Sequence, residues 1–454
     1  MKRPVLFYSC WLICGRLLAQ SLPNLAVTPV TNGAVAITWP TSNSGFSLQE
    51  ATNLSVGGWH PSSLVPIFDS NRVVFSVSAT TTNTAKFYRL NRPADLRGIY
   101  VDSNAFPLDK TNMVNLAASL RVPGVDGLVL VLGWATLETN VGQYNWSDLD
   151  MWTSNAMAAS LKVDLSLRAG DLTPRWLFVS PTNGGAGATP LTFSFAPQNG
   201  QFASCTTETI AAPWDTNFLA AWDGMLNDVS NHLATNGTYS AVRLLRLTGI
   251  NRDSDELHLP AQTTNSTGLD CVSNAPAIWQ AAGYTPSNLL SGWSHILVSF
   301  QRHFPDKAFS VAIIAETNVN AFPPIDDYGV ITNIAAADQN WPLVSLASQM
   351  FRGRLVIQNN SLYPNRAARP QTVNDALGLG TLIAFQTNEV GPGASADCNG
   401  TCDSTNYLAM LETGIYPLNQ TNSLRAQYIE VFAADVLAFT NAIWQAHMEL
   451  TPPP

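Results

Sequence analysis

Residues 127–134 and 162–168 read GLVLVLGW and KVDLSLR, two apolar runs of strand length that end in an aromatic and a basic residue. The stretch SDLDMWTSNAMAAS separates them at residues 147–160 and has a helical pattern. Strands that helices cover on both faces are apolar nearly throughout, so this order predicts a parallel β-α-β unit.

The same alternation continues from residue 96 to the C-terminus. The predicted strands are residues 98–102, 127–134, 163–168, 242–248, 309–316, 355–359, 382–389 and 428–432. The predicted helices are residues 111–120, 147–160, 215–233, 286–304, 338–351, 371–377, 404–412 and 433–447. Eight such repeats are typical of a (β/α)8 TIM barrel with long loops after some strands. We therefore predict an α/β barrel over residues 93–454.

Residues 22–92 have a different pattern, in which short segments of alternating apolar and polar residues are separated by turn residues. These segments lie at residues 25–30, 34–39, 46–50, 72–77 and 86–90. Strands this short and this closely spaced predict a small all-β domain, a sandwich or a barrel, and we expect the sandwich.

The first 21 residues have the order of a secretory signal. Lys2 and Arg3 precede an apolar stretch at residues 5–14, and small or polar residues follow at 19–21. We expect a cleaved signal peptide over residues 1–21 and a secreted or periplasmic product. No small residue of the usual kind precedes Cys14, so we expect release rather than lipid anchoring. No later run has the roughly 20 apolar residues that a membrane span needs.

Four of the six cysteines remain after removal of that signal: Cys205, Cys271, Cys398 and Cys402. An even number in an exported chain indicates two disulfides, for which the sequence permits three pairings. We favour Cys205 with Cys271 and Cys398 with Cys402, because each pair would tie down a loop rich in Gly, Ser and Thr. A zinc site is the alternative, although the paired short spacings of structural zinc are missing.

The composition limits the possible partners. A net charge of -9 with 23 basic residues leaves no basic stripe for phosphates, so nucleic acid is not expected. Charged residues make up only 12% of the chain, which also has 13 Trp. A neutral polar surface with many aromatic rings suits a partner rich in hydroxyl groups, such as a carbohydrate. A large core beneath an uncharged surface is the plainer interpretation. The oligomeric state cannot be predicted.

Polar residues follow the predicted barrel strands, where the chemistry of such barrels takes place. The second strand ends at Trp134 and the third near Arg168 and Asp171. The fourth runs into NRDSDE at residues 251–256, and the seventh ends in QTNE at 386–389. Arg246 and Glu430 lie within the fourth and eighth strands, where we expect a salt bridge inside the barrel.

Two segments resemble one enzyme family. The residues GWATLETNVGQYNWSDLD at 133–150 are similar to the segment after strand two of clan-A glycoside hydrolases, nearest the β-galactosidase-like group. The strand at 162–168 and the following TPRWL at 173–177 resemble their third strand and Pro-x-Trp loop.

Residues 36–40 and 86–90, AITWP and KFYRL, resemble a fibronectin-like accessory module. That module is either a spacer or a carbohydrate-binding domain.

The family resemblance implies two catalytic carboxylates. Glu389, at the end of the seventh strand, matches the nucleophile by position. These enzymes carry the acid in an Asn-Glu pair at the end of strand four, but residues 248–251 read TGIN here. Glu256, several residues later, is therefore the predicted acid, with Asp253, Asp255 or Glu316 as alternatives.

Further residues could contact the substrate. Trp134, Trp176 and Trp341 could stack on sugar rings, although tryptophan in a barrel is at least as often core. Arg168, Asn388 and Glu316 could bind hydroxyl groups. Asp253, Asp255 and His258 match no known metal spacing, so no metal or other cofactor is predicted.

Two functions remain open at this point. The first is a secreted glycosidase that cleaves a polysaccharide or oligosaccharide with two carboxylates, by a retaining mechanism. The second is a degenerate barrel that binds glycans or matrix without cleaving them, which the missing Asn-Glu pair favours.

Overall fold

The structure is a computed structural model. It describes residues 25–30, 34–40, 47–52, 60–62, 64, 67–69, 74–80, 86–91, 95–102, 110–196, 205–264, 270–313, 321–332, 340–362, 378–388, 390, 402–416 and 425–451. The predicted signal peptide, Cys398, Glu316 and Glu389 lie outside the described residues.

Eight parallel strands close into a barrel, which confirms the predicted TIM-barrel fold. In chain order they are β8 (Gly98–Asp102), β9 (Val125–Gly133), β12 (Lys162–Arg168), β15 (Val242–Arg246), β16 (Ala308–Ile313), β17 (Leu355–Leu362), β18 (Leu382–Thr387) and β19 (Tyr428–Phe432). Each pairs with its neighbours in chain order, and β19 pairs with β8 to close the sheet. All eight predicted strands are present.

Helices surround the barrel. They are α1 (Lys110–Ser119), α2 (Trp134–Leu137), α3 (Ser147–Ala158), α4 (Thr216–Thr235), α5 (Ala275–Ala281), α6 (Pro286–His303), α7 (Asn340–Met350), α8 (Ser404–Ile415), α9 (Ala433–Ala438) and α10 (Thr440–Leu450). Asp215 caps α4 by accepting from the backbone N–H groups of Asn217 and Phe218. Thr285 caps α6, and Pro286 fits its first turn because proline needs no donor there. The predicted helix at residues 371–377 lies outside the described residues.

The sequence pattern missed four features around the barrel. The predicted helix over residues 433–447 is divided in two at Phe439. The third barrel strand is followed by an antiparallel hairpin of β13 (Pro190–Phe195) and β14 (Thr206–Ala211), and α5 follows the fourth. A short hairpin of β10 (Glu138–Asn140) and β11 (Gln143–Tyr144) follows the second.

The lower half of the barrel interior is apolar. Side chains that point to the axis from successive strands form one buried cluster: Leu96, Tyr100, Val129, Leu244, Ala308, Val356, Ala384 and Tyr428. The rings of Tyr100 and Tyr428 lie 5.0 Å apart. This layer fills the barrel as side chains do in other barrels of eight strands. Asp164 of β12, in register with Val129 and Leu244, adds a polar group at this level, and further polar side chains lie above it, toward the C-terminal ends.

The N-terminal region forms two antiparallel sheets. One contains β1 (Ala26–Val30), β2 (Ala34–Pro40), β6 (Val74–Thr80) and β5 (Ile67–Asp69), and the other β4 (His60–Pro61), β3 (Ser47–Ala51) and β7 (Phe87–Asn91). Ile37, Trp39 and Val77 of the first sheet share a buried cluster with Leu48 of the second. This packing agrees with a small sandwich domain. The domain boundary near residue 92 and the fibronectin-like character stay predictions.

One of the predicted disulfides is present. Cys205 and Cys271 are bonded, with their Cα atoms 6.0 Å apart. Cys402 is also disulfide-bonded, while its predicted partner Cys398 lies outside the described residues. Within the part of the chain that the structure describes, no helix combines the length and apolarity of a bilayer span.

Candidate active site

The next inward-facing position on six barrel strands is polar. These residues follow the apolar layer by two positions on each strand: Asp102, Arg246, Ser310, Gln358, Gln386 and Glu430. Because all the strands are parallel, the shift of two residues moves every one of these side chains toward the barrel mouth.

Arg246 is the centre of this polar layer and is fully buried at the end of β15. Its guanidinium contacts the carboxylates of Asp255 and Glu430 and lies 3.0 Å from Asp164 Oδ2. It also donates to Gln358 Oε1 at 3.2 Å. The salt bridge between Arg246 and Glu430 that the sequence predicted is confirmed.

Three carboxylates around one guanidinium leave the centre with excess negative charge. Burial raises the pKa of Glu430 well above its usual range and also raises that of Asp164, while the charge of Arg246 opposes both shifts. Both buried carboxyl groups therefore favour the protonated form more strongly than free carboxyl groups do.

Amide side chains extend the network across the barrel. Glu430 Oε2 accepts from Gln358 Nε2 at 2.8 Å and from Gln386 Nε2 at 3.2 Å. Gln386 Nε2 also donates to Asp102 Oδ2 at 3.0 Å. Arg246, Asp164 and Glu430 have completely buried side chains and so offer no surface to a substrate, whereas Asp255 and Gln386 of the same network are partly exposed.

Glu256 lies at the mouth, above this centre. The chain leaves the barrel after β15 and returns so that Glu256 forms a parallel bridge with Ala312 of β16. Asn360 Nδ2, from β17, donates to Glu256 Oε1 at 2.9 Å. Glu256 Oε2 is buried and has no hydrogen-bond partner among the described residues. The loop therefore brings the predicted acid back to the barrel, beside the fifth and sixth strands.

The end of the fourth strand itself has no carboxylate. Thr248 Oγ1 donates to the carbonyl of Leu167 in the third strand. Asn251 Oδ1 accepts from Gly249 N at 3.0 Å, and its Nδ2 donates to the Ser254 carbonyl at 2.8 Å. The amide of Asn251 thus stabilises the loop.

Arg168 and Asp171 follow the third strand. Arg168 Nη2 lies 3.2 Å from Asp171 Oδ1, and Asp171 N donates to the Arg252 carbonyl at 2.8 Å. Burial raises the pKa of Asp171 to about 6, and the charges of Glu208 and Asp253 add to this effect against the opposing charge of Arg168. Asp171 is therefore a carboxyl group at the rim that titrates close to neutral pH, and no sequence motif had indicated this.

A second group of charges supports the rim. Arg252 donates to both oxygens of Glu208, at 2.9 and 3.0 Å, and lies over the ring of Phe195. His258 Nε2 lies 2.9 Å from Asp253 Oδ1. Burial opposes ionisation of Asp253, but His258 and Arg252 outweigh it and lower the pKa of Asp253 to about 2. In the described part of the chain, no three His, Cys, Asp or Glu side chains are grouped as metal ligands.

The three predicted stacking tryptophans have different environments. Trp134 is only 1% exposed, and its Nε1 donates to Glu138 Oε2 at 2.8 Å. Its ring packs against Trp176 and Trp222, so the proposed stacking role is wrong for Trp134, which belongs to the core. Trp176 is half-buried, and Trp341 is 43% exposed in the first turn of α7.

The seventh strand is described up to its end. Asn388 is half-buried directly after β18, and Gln386 two residues earlier points to the axis. Glu389 and Glu316 lie outside the described residues, so the carboxylate pair of Glu256 and Glu389 stays a prediction.

No protein-family model and no curated protein sequence matches the chain. Among solved structures, the catalytic domain of β-amylase from Paenibacillus polymyxa is 12% identical with a TM-score of 0.50, over 79% of this chain and 98% of that one. A β-galactosidase from the psychrophilic Marinomonas ef1 is 12% identical with a TM-score of 0.45, over 77% of this chain and 59% of that one. A xylanase from Thermoanaerobacterium saccharolyticum is 12% identical with a TM-score of 0.44, over 75% and 86%. At 12% identity, the structural similarity to the β-amylase domain shows that the two chains share the (β/α)8 fold.

Proposed function

We propose that this chain is a glycoside hydrolase that acts on a polysaccharide or oligosaccharide. The observation that carries the proposal is the Glu256 carboxyl at the barrel mouth, where Asn360 holds one oxygen and the other is buried without a partner among the described residues. A carboxyl group that is fixed in place but not saturated by its own protein can act on a bound sugar.

Glu256 acts in this mechanism as the acid that protonates the oxygen of the leaving group. Glu389 attacks the anomeric carbon, and water then releases the sugar from this glycosyl-enzyme, with net retention of configuration. Arg168 and Asn388, which follow the third and seventh strands, bind substrate hydroxyl groups. Strand ends of one parallel barrel meet at one face, which supports this assignment.

We also propose that the protein works outside the cytoplasm. The order of residues 1–21 and the disulfide between Cys205 and Cys271 support export, because such bonds persist in oxidising compartments.

The alternative is a barrel that binds glycans without cleaving them. The absence of a carboxylate at the end of β15, where Thr248 bonds to the Leu167 carbonyl of the third strand and Asn251 to its own loop, favours it. Hydrolysis itself distinguishes the two functions.

A panel of aryl glycosides and natural oligosaccharides tests the proposal. On any substrate that the parent cleaves, Glu389→Ala should lose about 10³-fold or more of turnover, and azide should restore part of it as a glycosyl azide of inverted configuration. Glu256→Ala should spare substrates with good leaving groups and impair those with poor ones, because only poor leaving groups need a proton. Glu412→Ala, on α8, serves as the control. Near-parental rates for Glu389→Ala would remove it from the mechanism, and no hydrolysis across the panel would favour the binding protein.

A further inference from the structure

A cavity of about 390 Å³ lies on the flank of the barrel. Its walls come from the hairpin after the second strand, the turn at Arg175–Phe178 and one face of α4. Tyr144 and Trp176 supply aromatic surface, and Glu138 and Asp228 supply two carboxylates. None of these residues contacts the Arg246 centre or Glu256, so the cavity is separate from the candidate active site.

The charged side chains that line the cavity are all acidic. Among its described lining residues there is no Lys, Arg or His. Glu138 is only 4% exposed, and its oxygens accept from Trp134 Nε1 and Gly142 N, each at 2.8 Å. Asp228 Oδ1 accepts from Asn227 Nδ2 at 3.1 Å. Neither carboxylate has a cationic side chain as its partner in the described part of the chain, so the cavity keeps a negative potential.

Several hydrogen-bonding groups of the cavity already have partners within the protein. Burial together with the nearby charges of Glu138 and Asp228 raises the pKa of Tyr144 far above its usual range, so its hydroxyl stays protonated. Asn217 Nδ2 donates to the Gly187 carbonyl at 3.0 Å. A ligand with many hydroxyl groups would leave most of them unpaired here, at a cost for each one. A cation needs no free lone pair, because the field of a carboxylate and the face of an aromatic ring attract it directly.

The floor of the cavity suits methyl groups. Ala220, Ala221 and Gly224 follow one another on the exposed side of α4, and a Cβ added at Gly224 would meet nothing within 4 Å. We propose that this cavity binds a small organic ammonium ion, such as a quaternary or methylated amine, between Tyr144, Trp176 and the two carboxylates. The site is independent of any hydrolysis at the barrel mouth.

Choline and its neutral isostere 3,3-dimethylbutan-1-ol test this proposal, with binding to the whole chain measured by calorimetry or by ligand NMR. Because the two probes have the same shape, we expect choline to bind about tenfold more tightly through the charge alone. Equal affinity of the two probes, or no choline binding, would overturn the proposal.

Two variants locate the site. Gly224→Phe should fill the cavity and abolish choline binding, whereas Ala234→Phe, at an exposed position of the same helix and outside the cavity, should leave it unchanged. Asp228→Asn should weaken choline about tenfold and leave the neutral isostere unaffected, since it removes charge and keeps shape. Circular dichroism checks that each variant is folded. Choline binding that survives in folded Gly224→Phe, or in Asp228→Asn at parental strength, would place the cation elsewhere and reject this site.

Discussion

The barrel has carboxylates in two regions that differ in exposure to solvent and in how many hydrogen-bond partners the carboxylates have. Around Arg246, the side chains of Asp164 and Glu430 are fully buried and are bonded to the guanidinium or to amides. At the rim, Glu256 and Asp171 are only partly enclosed, and Glu256 Oε2 has no partner among the described residues. The side chains of Arg246, Asp164 and Glu430 are sealed from solvent, whereas the rim side chains are partly exposed, although Glu256 Oε2 itself is buried.

The difference separates charges that hold the fold from charges that can react. Buried charges remain in a barrel when they satisfy one another, and losing one partner then costs more than the pair contributes. A reactive carboxyl must instead reach its substrate and titrate near the working pH. The sealed centre thus stabilises the fold, and the rim carries the carboxyl groups to which the proposed chemistry is assigned.

Among the variants proposed here, Arg246→Met should destabilise the protein most, because it removes the only guanidinium of the sealed centre described above. This change leaves Asp164 and Glu430 buried without their cation, so we expect the free energy of unfolding to fall by about 3–5 kcal/mol in urea titrations. Arg243→Met is the matched control, because Arg243 lies on the same strand with an exposed side chain and should change the free energy by less than about 0.5 kcal/mol. Similar losses in both variants would contradict a structural role for the centre.

A substitution at Gly170 should disrupt the rim, because the loops after the third and fourth strands meet there. Gly170 has φ +59°, and an added Cβ would lie 1.9 Å from the Arg252 carbonyl oxygen. Gly170→Ala should cost roughly 2–4 kcal/mol of unfolding free energy through strain and overlap. Gly184→Ala has φ +83° and open space, so it should cost only about 1 kcal/mol. Equal costs would show that the contact between the two loops is unimportant.

Asn360 links the two regions, since its amide accepts from Gln358 Nε2 and donates to Glu256. Asn360→Ala leaves both partners short of one bond and should lower the unfolding free energy by about 1–3 kcal/mol. It should also reduce turnover of any cleaved substrate, because Glu256 loses its fixed position. Asn441→Ala, at an exposed site on α10, should affect neither quantity. Unchanged stability in Asn360→Ala would show that the link is absent in solution.

The smallest expected effect is the change in stability with pH that the rim residue Asp171 causes. Its folded pKa of about 6 lies above the unfolded value of about 3.9, so its contribution to stability is complete below about pH 4 and is lost as the pH rises through 6. Carboxyl NMR should show a titration midpoint near 6 in the parent, and Asp171→Asn should remove that signal and the matching decline in stability. A midpoint near 4 would show that the surroundings of Asp171 do not raise its pKa.

The eight barrel strands were predictable from sequence because a strand covered on both faces leaves a continuous apolar run, as at residues 127–134. The bond between Cys205 and Cys271 belongs to the pairing that loop composition favoured among the three that the cysteine count permits. The hairpin at Pro190–Phe195 and Thr206–Ala211 was missed, although Leu191, Phe193 and Phe195 alternate with exposed or polar residues as in a strand. The break at Phe439 was missed because both halves continue the same helical pattern.

The site depended far more on the tertiary structure. The sequence by itself determined which strands carry Arg246 and Glu430 and that a carboxylate-rich loop follows the fourth strand. It could not show that Glu256 returns beside Ala312 to meet Asn360, 104 positions away, that Asp171 is buried enough to titrate near pH 6, or that Trp134 is core. The physical reason is that periodicity reports which local residues share a face. Burial, pKa and contacts between distant residues arise only when the barrel closes and its loops fold over the mouth.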